Sequence, residues 1–572
     1  MALLTMKRRV ALLLDSIRDD HQAGIVHGAA HASLHANVQL TCIAGGVLGD
    51  STRPPFDRNF LFDLVEPQAY DGTLALVGAL SNHLGVPHVT GWLKRFAARP
   101  LVSVGVELPD VPSITFAGAK GMGELIKHLL EVHGHHRIAF VRGPSANPEA
   151  EERYAAYLGA LEAAQVVPDP RLVLAGNWSR DSGALAIREL FDSRGVAVES
   201  VSAIAAANDF MALGALDELR QRGVSVPNDV AVVGFDDVEA LRAAVPPLTT
   251  VRQPSQALGR EALRRLIGLT NKQEEALLTT LPATLVLRRS CGCSKVERGQ
   301  RIRQPVDEAR SFELAIVERR DLICAELSRA AQGALFGAGS GWEQLLLNAL
   351  LRDLASADGT SFLTTLDRML LGLQNAGADL SLCPQVIGTL GRAVQDCAAR
   401  DSQLLARLDE VLDGARELVA EWLVRNEVRS RSEMFEQLRE FSRMSAFLMS
   451  APSRRAIQAS VEERFRRLDI PALSLGLFSQ PGQVSSECVC LAAYNRNRRL
   501  EVPDTFRTSD FGPAEVFEND TQARLVLPLL FDGVPLGILT VVLSDVAPAV
   551  YEQLREALSI GLHGMHLASA KP

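Results

Sequence analysis

The 572 residues predict an α/β protein of two doubly wound lobes, followed by an α-helical module and a small α+β domain. Three observations carry this. Residues 9–286 alternate short β-rich runs with helix-length amphipathic stretches, the pattern of a parallel sheet covered by helices. Residues 305–450 are helix-rich with few β-branched clusters, and from 457 onward the pattern turns mixed again. At about 150 residues per domain, a chain of this length needs several cores.

In the first half the β-rich runs fall at 10–14, 38–44, 73–76, 101–104, 138–141, 203–206 and 230–235. Seven runs separated by helix-length segments are more than one small sheet needs, hence two lobes. Residues 118–133 place Leu125, Leu129 and Leu130 on one helical face, and residues 209–222 carry Met211, Leu213, Leu216 and Leu219, so both read as crossover helices. Doubly wound sheets bind ligands beyond the carboxyl ends of their strands, which directs attention to Asp15, Arg142, Asn208, Asp236 and the residues after them.

After Cys293 a charged stretch, SKVERGQRIRQPVDEARS, leads into the helical module. Leu408, Leu412, Ala415, Val419 and Trp422 recur at four-three spacing, as do Met434, Leu438, Phe441, Ser445 and Leu448. That spacing fits a dimerising coiled coil or a helix packed inside its own domain. The last part carries strand-like runs at 472–478, 489–493, 524–530 and 536–543 and a final helix over 549–568. Asp532-Gly533 between the last two runs supplies the positive φ of a tight hairpin, so antiparallel pairing is expected there.

Composition narrows the function. With 47% hydrophobic and 22% charged residues most of the chain should fold, and no run approaches the eighteen apolar residues of a bilayer span. The basic cluster Lys7–Arg9 follows a very short apolar start, the reverse of a signal peptide, so a cytoplasmic protein without membrane attachment is expected. Basic residues number 59 against 68 acidic, so nucleic-acid affinity is not written in the bulk charge. Eight cysteines are too few for a secreted disulfide framework. Cys291-Gly-Cys293 and Cys488-Val-Cys490 form two close pairs that offer four thiolates, but the spacing within each is narrower than in strong zinc motifs. No metal and no cofactor are expected.

Gly118-Ala-Lys-Gly121-Met-Gly123 fits no phosphate-loop spacing, and Gly337-Ala-Gly339-Ser-Gly341 reads as a loop. His133, His135 and His136 read as a turn into the next strand, and no nucleophile–base arrangement stands out, so no enzyme is expected.

The strings HLLEVHGHHRIAFVRGP, RYAAYLGALEAA, AIAAANDFMALGALDELRQRGVSVPNDVAVVGFDD and PPLTTVRQP resemble the effector-binding core of the LacI/GalR repressor family, over residues 9–290. The resemblance implies a periplasmic-binding-protein-like fold, two hinged lobes whose closure on a small-molecule effector is the signal. It implies that Arg153, Asn208 and Asp236 point into the cleft, where a planar fork, an amide and an acceptor suit a sugar or nucleoside. Trp178 falls where some members stack an aromatic ring on the ligand, and Tyr70, Asp20, His21, Gln22 and Gln253 are further ligand-binding candidates. The same residues admit a plainer reading: Arg153 with Asp236 as a lobe-bridging ion pair, Trp178 as core, Asn208 as a helix cap.

Where the family usually has an Asp-Asn pair opening a helix, this chain has Phe116-Ala117-Gly118-Ala119-Lys120, so an acidic contact or cap is missing. Few residues precede the first strand, so the family's helix-turn-helix is expected to be absent. LRRSCGC, FSRMSAFLMSAP and LVLPLLFDGVPLGILTVVL resemble the helical and GAF-like segments of bacterial signalling proteins, here expected over 305–450 and 457–570 without an output module after them. The expectation is a homodimeric regulator with a protein partner acting in trans, and direct DNA contact through another surface as the alternative.

Overall fold

A computed structural model of the chain describes residues 7–49, 58–238, 244–273, 276–293, 312–331, 341–356, 360–375, 380–398, 401–450, 454–496, 503–517, 522–544, 546 and 548–569. The charged stretch 294–311 and the glycines at 337 and 339 lie outside these. The chain forms two compact units, one from residues up to 299 together with 439–572, the other from 300–438.

The first lobe is built on β1 (Arg8–Leu14), β2 (Val38–Ala44), β3 (Gly72–Leu76), β4 (Leu101–Val104) and β5 (Ser113–Phe116), paired in parallel in the order β5-β4-β3-β1-β2. Five successive residues of β1 are buried, because helices cover both faces and a parallel strand then reads as one apolar run. Helix α1 (Asp20–Ala36) is opened by Asp19, whose carboxylate accepts from the Gln22 amide. Three short helices, α2 (Phe60–Asp63), α3 (Val77–Leu80) and α4 (Gly85–Leu93), follow before β4.

The second lobe holds a four-stranded parallel sheet, β6 (Ile138–Val141), β7 (Val173–Leu174), β8 (Ala203–Ala206) and β9 (Ala231–Val233), in the order β7-β6-β8-β9. Its helices are α5 (Gly118–Glu131), α6 (Pro148–Ala163), α7 (Arg180–Arg188) and α8 (Asp209–Gln221). Ala117 stands at the N-cap of α5 and contributes no side-chain bond, so the cap missing from the sequence is missing from the helix.

The chain crosses between lobes near residue 117, again after Asp236, and a third time near residue 282. The second crossing returns through β10 (Thr250–Arg252) into α9 (Ser255–Thr270), which lies against α1. That approach needs glycine: a Cβ on Gly28 would sit 2.0 Å from the Gln256 carbonyl oxygen. The third runs from β11 (Leu278–Leu281), which joins the first sheet beside β5, to β12 (Thr284–Val286), antiparallel to β10.

The other unit is helical among its described residues: α10 (Phe312–Ala331), α11 (Trp342–Ala355), α12 (Ser361–Asn375), α13 (Cys383–Cys397) and most of α14 (Ser402–Ser450). Leu408, Leu412, Ala415 and Val419 are buried in this unit's own core, so the first four-three stretch packs within its domain. The second behaves differently from the seam expected. Met444 and Leu448 are buried in the first unit's core and Leu438 is exposed, while Val424, Val428 and Phe435 stand in water. The side chain of Met434 lies outside the described residues.

The remaining segment carries α15 (Arg454–Arg467), β13 (Ala472–Gln480), β14 (Gln483–Asn495), β15 (Thr505–Arg507), α16 (Ala514–Phe517), β16 (Arg524–Phe531), β17 (Val534–Val542) and α17 (Pro548–Ser569). The hairpin at Asp532-Gly533 forms with positive φ at both residues. These strands continue the first lobe's sheet. β16 pairs in parallel with β2, Arg524 opposite Thr41, Leu525 opposite Cys42 and Val526 opposite Ile43, giving an eleven-stranded sheet among the described residues. An open β2 edge has amide groups that need partners, and β16 supplies them. Buried Ile43 and Val526 share one apolar cluster, Phe60 meets Phe478 edge-on at 5.8 Å, and buried Glu552 of α17 lies 3.5 Å from both Arg18 and Arg58.

Candidate ligand-binding site

The strand ends of both lobes face one crevice. Helix α6, capped by Asn147 and begun by Pro148, aims Arg153 into it. The guanidinium is buried: Nη1 donates to the Ala207 carbonyl at 2.7 Å and lies 3.6 Å from Asp236 Oδ1, and Nη2 donates to Glu149 Oε2 at 3.1 Å. Its centre sits 3.9 Å from the Phe235 ring centroid and 5.4 Å from that of Trp178. Arg153 and Asp236 belong to the same lobe, so their ion pair does not bridge the lobes.

Asp236 follows β9 with φ +119, held by its amide donating to the Val251 carbonyl at 2.8 Å. Gln253 Nε2 donates to its carboxylate. Burial pushes Asp236 up to about 7 although Arg153 pulls the other way. Burial also raises Glu149, again against Arg153. Two buried polar atoms in the crevice, Arg153 Nε and Gln253 Oε1, have no partner among the described residues. Unpaired buried groups cost free energy, so their persistence here points to a ligand or water that completes them.

Asn208 caps α8 by accepting from the Met211 amide at 2.9 Å, and its amide donates to the Trp178 carbonyl at 3.0 Å. It positions Trp178. That residue has φ +70 and rests its ring on Gly143, where a Cβ would come within 2.4 Å of the ring. Trp178 Nε1 reaches Asn82 Oδ1 of the first lobe at 3.4 Å, and Asn147 Nδ2 donates to the same oxygen at 2.7 Å and to the Gly78 carbonyl at 3.1 Å. These contacts join the two lobes across the crevice.

The first-lobe candidates divide. His21 Nδ1 is 2.9 Å from Ser255 Oγ, and burial with nearby Arg153 lowers the imidazole to about 3, so it faces the crevice neutral. Gln22 is spent on the turn after β1: its Oε1 accepts from the Asp15 and Ser16 amides and its Nε2 donates to Asp19. Asp20 is exposed on the first turn of α1. Tyr70 is a correction. It precedes β3, at the amino end of the strand rather than the ligand end, and is buried in the core with its ring 5.3 Å from the Arg9 guanidinium.

Beside Arg153 the crevice opens to solvent, and Asp236, Trp178, Asn208 and Gln253 are not among the residues that line this open part. Its lining adds Glu107, Thr115, Phe116, Glu149, Glu152 and Thr280 to Arg153. Sequence reasoning missed Glu149 and Glu152, although Glu149 lies one helical turn before Arg153 and that spacing alone places the two together. A cation among carboxylates, with aromatic faces on one side, suits a neutral, hydroxyl-rich molecule that donates several hydrogen bonds.

A family model described as a periplasmic binding protein-like domain matches residues 126–291. The HTH-type transcriptional regulator CelR of Thermobifida fusca is 34% identical over 276 residues, covering 47% of this chain and 75% of the relative. The HTH-type transcriptional repressor CytR of Escherichia coli is 26% identical over 265 residues, 46% and 72% of the two chains. Among solved structures, a transcriptional regulator CelR–cellobiose complex is 33% identical with a TM-score of 0.43, covering 50% of this chain and 85% of that one.

Proposed function

The chain belongs to the LacI/GalR family of ligand-responsive transcriptional regulators, and from that membership we propose that it binds a sugar or nucleoside-like metabolite between its lobes and passes closure to a partner. The observation that carries the reading is the pair of buried, unpartnered atoms, Arg153 Nε and Gln253 Oε1, beside the carboxylates of Asp236 and Glu149. A ligand hydroxyl that accepts from the first and donates to the second completes both. Cellobiose, the ligand named for the CelR complex, is the first probe, followed by other disaccharides and nucleosides.

Ligand that binds only the folded state raises its melting temperature, so a thermal-shift series on the full chain reads binding directly. A compound that shifts wild type and shifts Arg153→Met and Asp236→Asn equally would refute the site.

The output is assigned to the helical unit and to the last segment, read as GAF-like, with a protein partner receiving the signal. The two ends of the helical unit follow different parts of the receptor along the chain: residue 293 ends the second lobe, and residue 439 begins the segment whose strands extend the first lobe. On this reading, movement of one lobe against the other is the signal that the helical unit receives.

The homodimer is assigned to α14, where Val424, Val428, Phe435 and Leu438 are exposed at the spacing of a two-stranded seam, with Arg431 the polar position within it. Because the relatives carry the description HTH-type, direct DNA contact is the second reading. A salt-dependent gel shift with the purified chain would favour it.

A further inference from the structure

Helix α5 ends beside the last residues of the receptor. His128 on its final turn and His133 just beyond it face Cys291 and Cys293, which a short turn holds side by side. His128 Nε2 lies 3.2 Å from His133 Nε2, 3.4 Å from Cys293 Sγ and 3.6 Å from Cys291 Sγ, and His133 Nε2 lies 3.3 Å from Cys293 Sγ. All four donor atoms fall within 4.8 Å of one another. A tetrahedral ion with bonds of about 2.0–2.3 Å separates its ligands by roughly 3.3–3.8 Å, close to the 3.2–3.6 Å of these four distances.

Three further features favour a built site. His128, Cys291 and Cys293 are buried, where thiols and imidazoles without a role are costly to gather. Gly292 has φ +100, and a Cβ there would already touch the His133 ring at 3.4 Å, so glycine lets the two cysteines turn inward together. Thr249 Oγ1 lies 3.1 Å from Cys291 Sγ, in place to donate to a thiolate. The other close pair, Cys488 and Cys490, lies on β14 in a different core cluster, so the two pairs do not combine.

We propose that His128, His133, Cys291 and Cys293 form a structural zinc site. Two thiolates and two imidazoles are the donor set that selects zinc over hard cations, and four protein ligands close the coordination shell. On binding, each cysteine gives its proton to solvent. The ion fastens the outgoing end of the receptor to α5 and fixes the point at which the chain leaves the second lobe. None of these residues lines the ligand crevice, so the zinc site and the effector site stand or fall separately.

The test is metal analysis of the full chain purified without chelator, with cobalt as a spectroscopic substitute. The expected result is about one zinc per chain, and a tetrahedral cobalt spectrum with thiolate charge-transfer absorption after exchange. Cys293→Ser and His133→Gln should each lower the zinc content at least about tenfold and lower the melting temperature, while Cys488→Ser with Cys490→Ser keeps the metal. His133→Gln, at a half-buried position, keeps the test open if the serine variant fails to fold. Wild type without zinc and without a tetrahedral cobalt spectrum would overturn the proposal. So would zinc retained in full by Cys293→Ser and His133→Gln, or lost only with Cys488 and Cys490.

Discussion

Replacing Asp236 by Asn separates what this residue does for the fold from what it does in the crevice. Its carboxyl is raised from 3.8 to about 7, desolvation outweighing Arg153 at 3.6 Å. The folded chain therefore holds this proton more tightly than the unfolded chain. Stability attached to the group is complete below about pH 4, falls as pH rises, and is lost once pH passes about 7. A shift of about three units corresponds to on the order of 4 kcal/mol between the two forms. Asn recovers the charge-burial cost above that pH but weakens the contacts with Arg153 and Gln253, which leaves an expected net gain of about 1–2 kcal/mol at about pH 8.5. At about pH 5.5 the native carboxyl is neutral but the unfolded one is ionised, so about half of that cost remains and the weakened contacts offset it, leaving a net gain of about zero. Scanning calorimetry of the full chain at both pH values reads the difference as a rise of roughly 2–4 °C per kcal/mol. The same variant removes the charged acceptor, so affinity for any sugar or nucleoside that stabilises wild type falls about 10–100-fold. Equal stability effects at the two pH values, or undiminished affinity, would refute the reasoning.

Asn208→Ala removes the α8 cap and the tether on the Trp178 carbonyl, with an expected cost of about 1–2 kcal/mol in thermal denaturation. Asn208→Asp restores the cap and leaves only the tether missing. Glu552→Ala strands Arg555 and Arg58 without their shared buried carboxylate and should cost about 3–5 kcal/mol, whereas Arg18→Ala, at a half-exposed side chain of the same cluster, should cost at most about 1 kcal/mol. Phe435→Glu places a charge on the exposed face of α14 and should convert a dimer to a monomer in sedimentation, with secondary structure unchanged.

The lobe strands were legible because a parallel strand covered on both sides is a short unbroken apolar run, as at Leu12–Leu14 and Ile204–Ala206. Most strands that escaped notice are weak in that signal: β7 has two residues, and β11 and β12 are half-exposed hinge strands whose LTTL and TLV carry no alternation, while the buried four-residue β5 was passed over. Asp236 was marked by its place beyond a strand's carboxyl end, whereas Arg153 came from the family likeness alone, since nothing local links it to the other site residues. Tyr70 misled because its type suits a ligand while its place, before a strand rather than after one, does not. The cysteine pairs were considered together as four thiolates, yet Cys291 and Cys293 meet His128 of α5 and His133 just beyond it, a convergence only the fold reveals. Helix α14 shows the limit of periodicity: four-three spacing was visible at two places, but whether such a face is core or exposed depends on what packs against it.

The pairing of β16 with β2 bears on how closure would be felt beyond the crevice. An isolated downstream domain on a flexible tether would move freely with either lobe. Here the last segment shares with the first lobe a continuous sheet, an apolar cluster through Ile43 and Val526, and the charged group of Glu552, Arg58 and Arg555. A hinge transmits motion only between bodies that are themselves stiff, and a hydrogen-bonded ladder with buried side chains on its faces is stiff. The first lobe with its added strands is thus one such body. The second lobe is the other, anchored at its outgoing end if Cys291 and Cys293 hold a metal. On the proposed relay, the ligand's share of the work is confined to differential contacts with Arg153, Asp236 and Gln253 on one side and His21 and Thr115 on the other. A compound that binds the open and the closed form equally well cannot drive the closure, however tightly it binds.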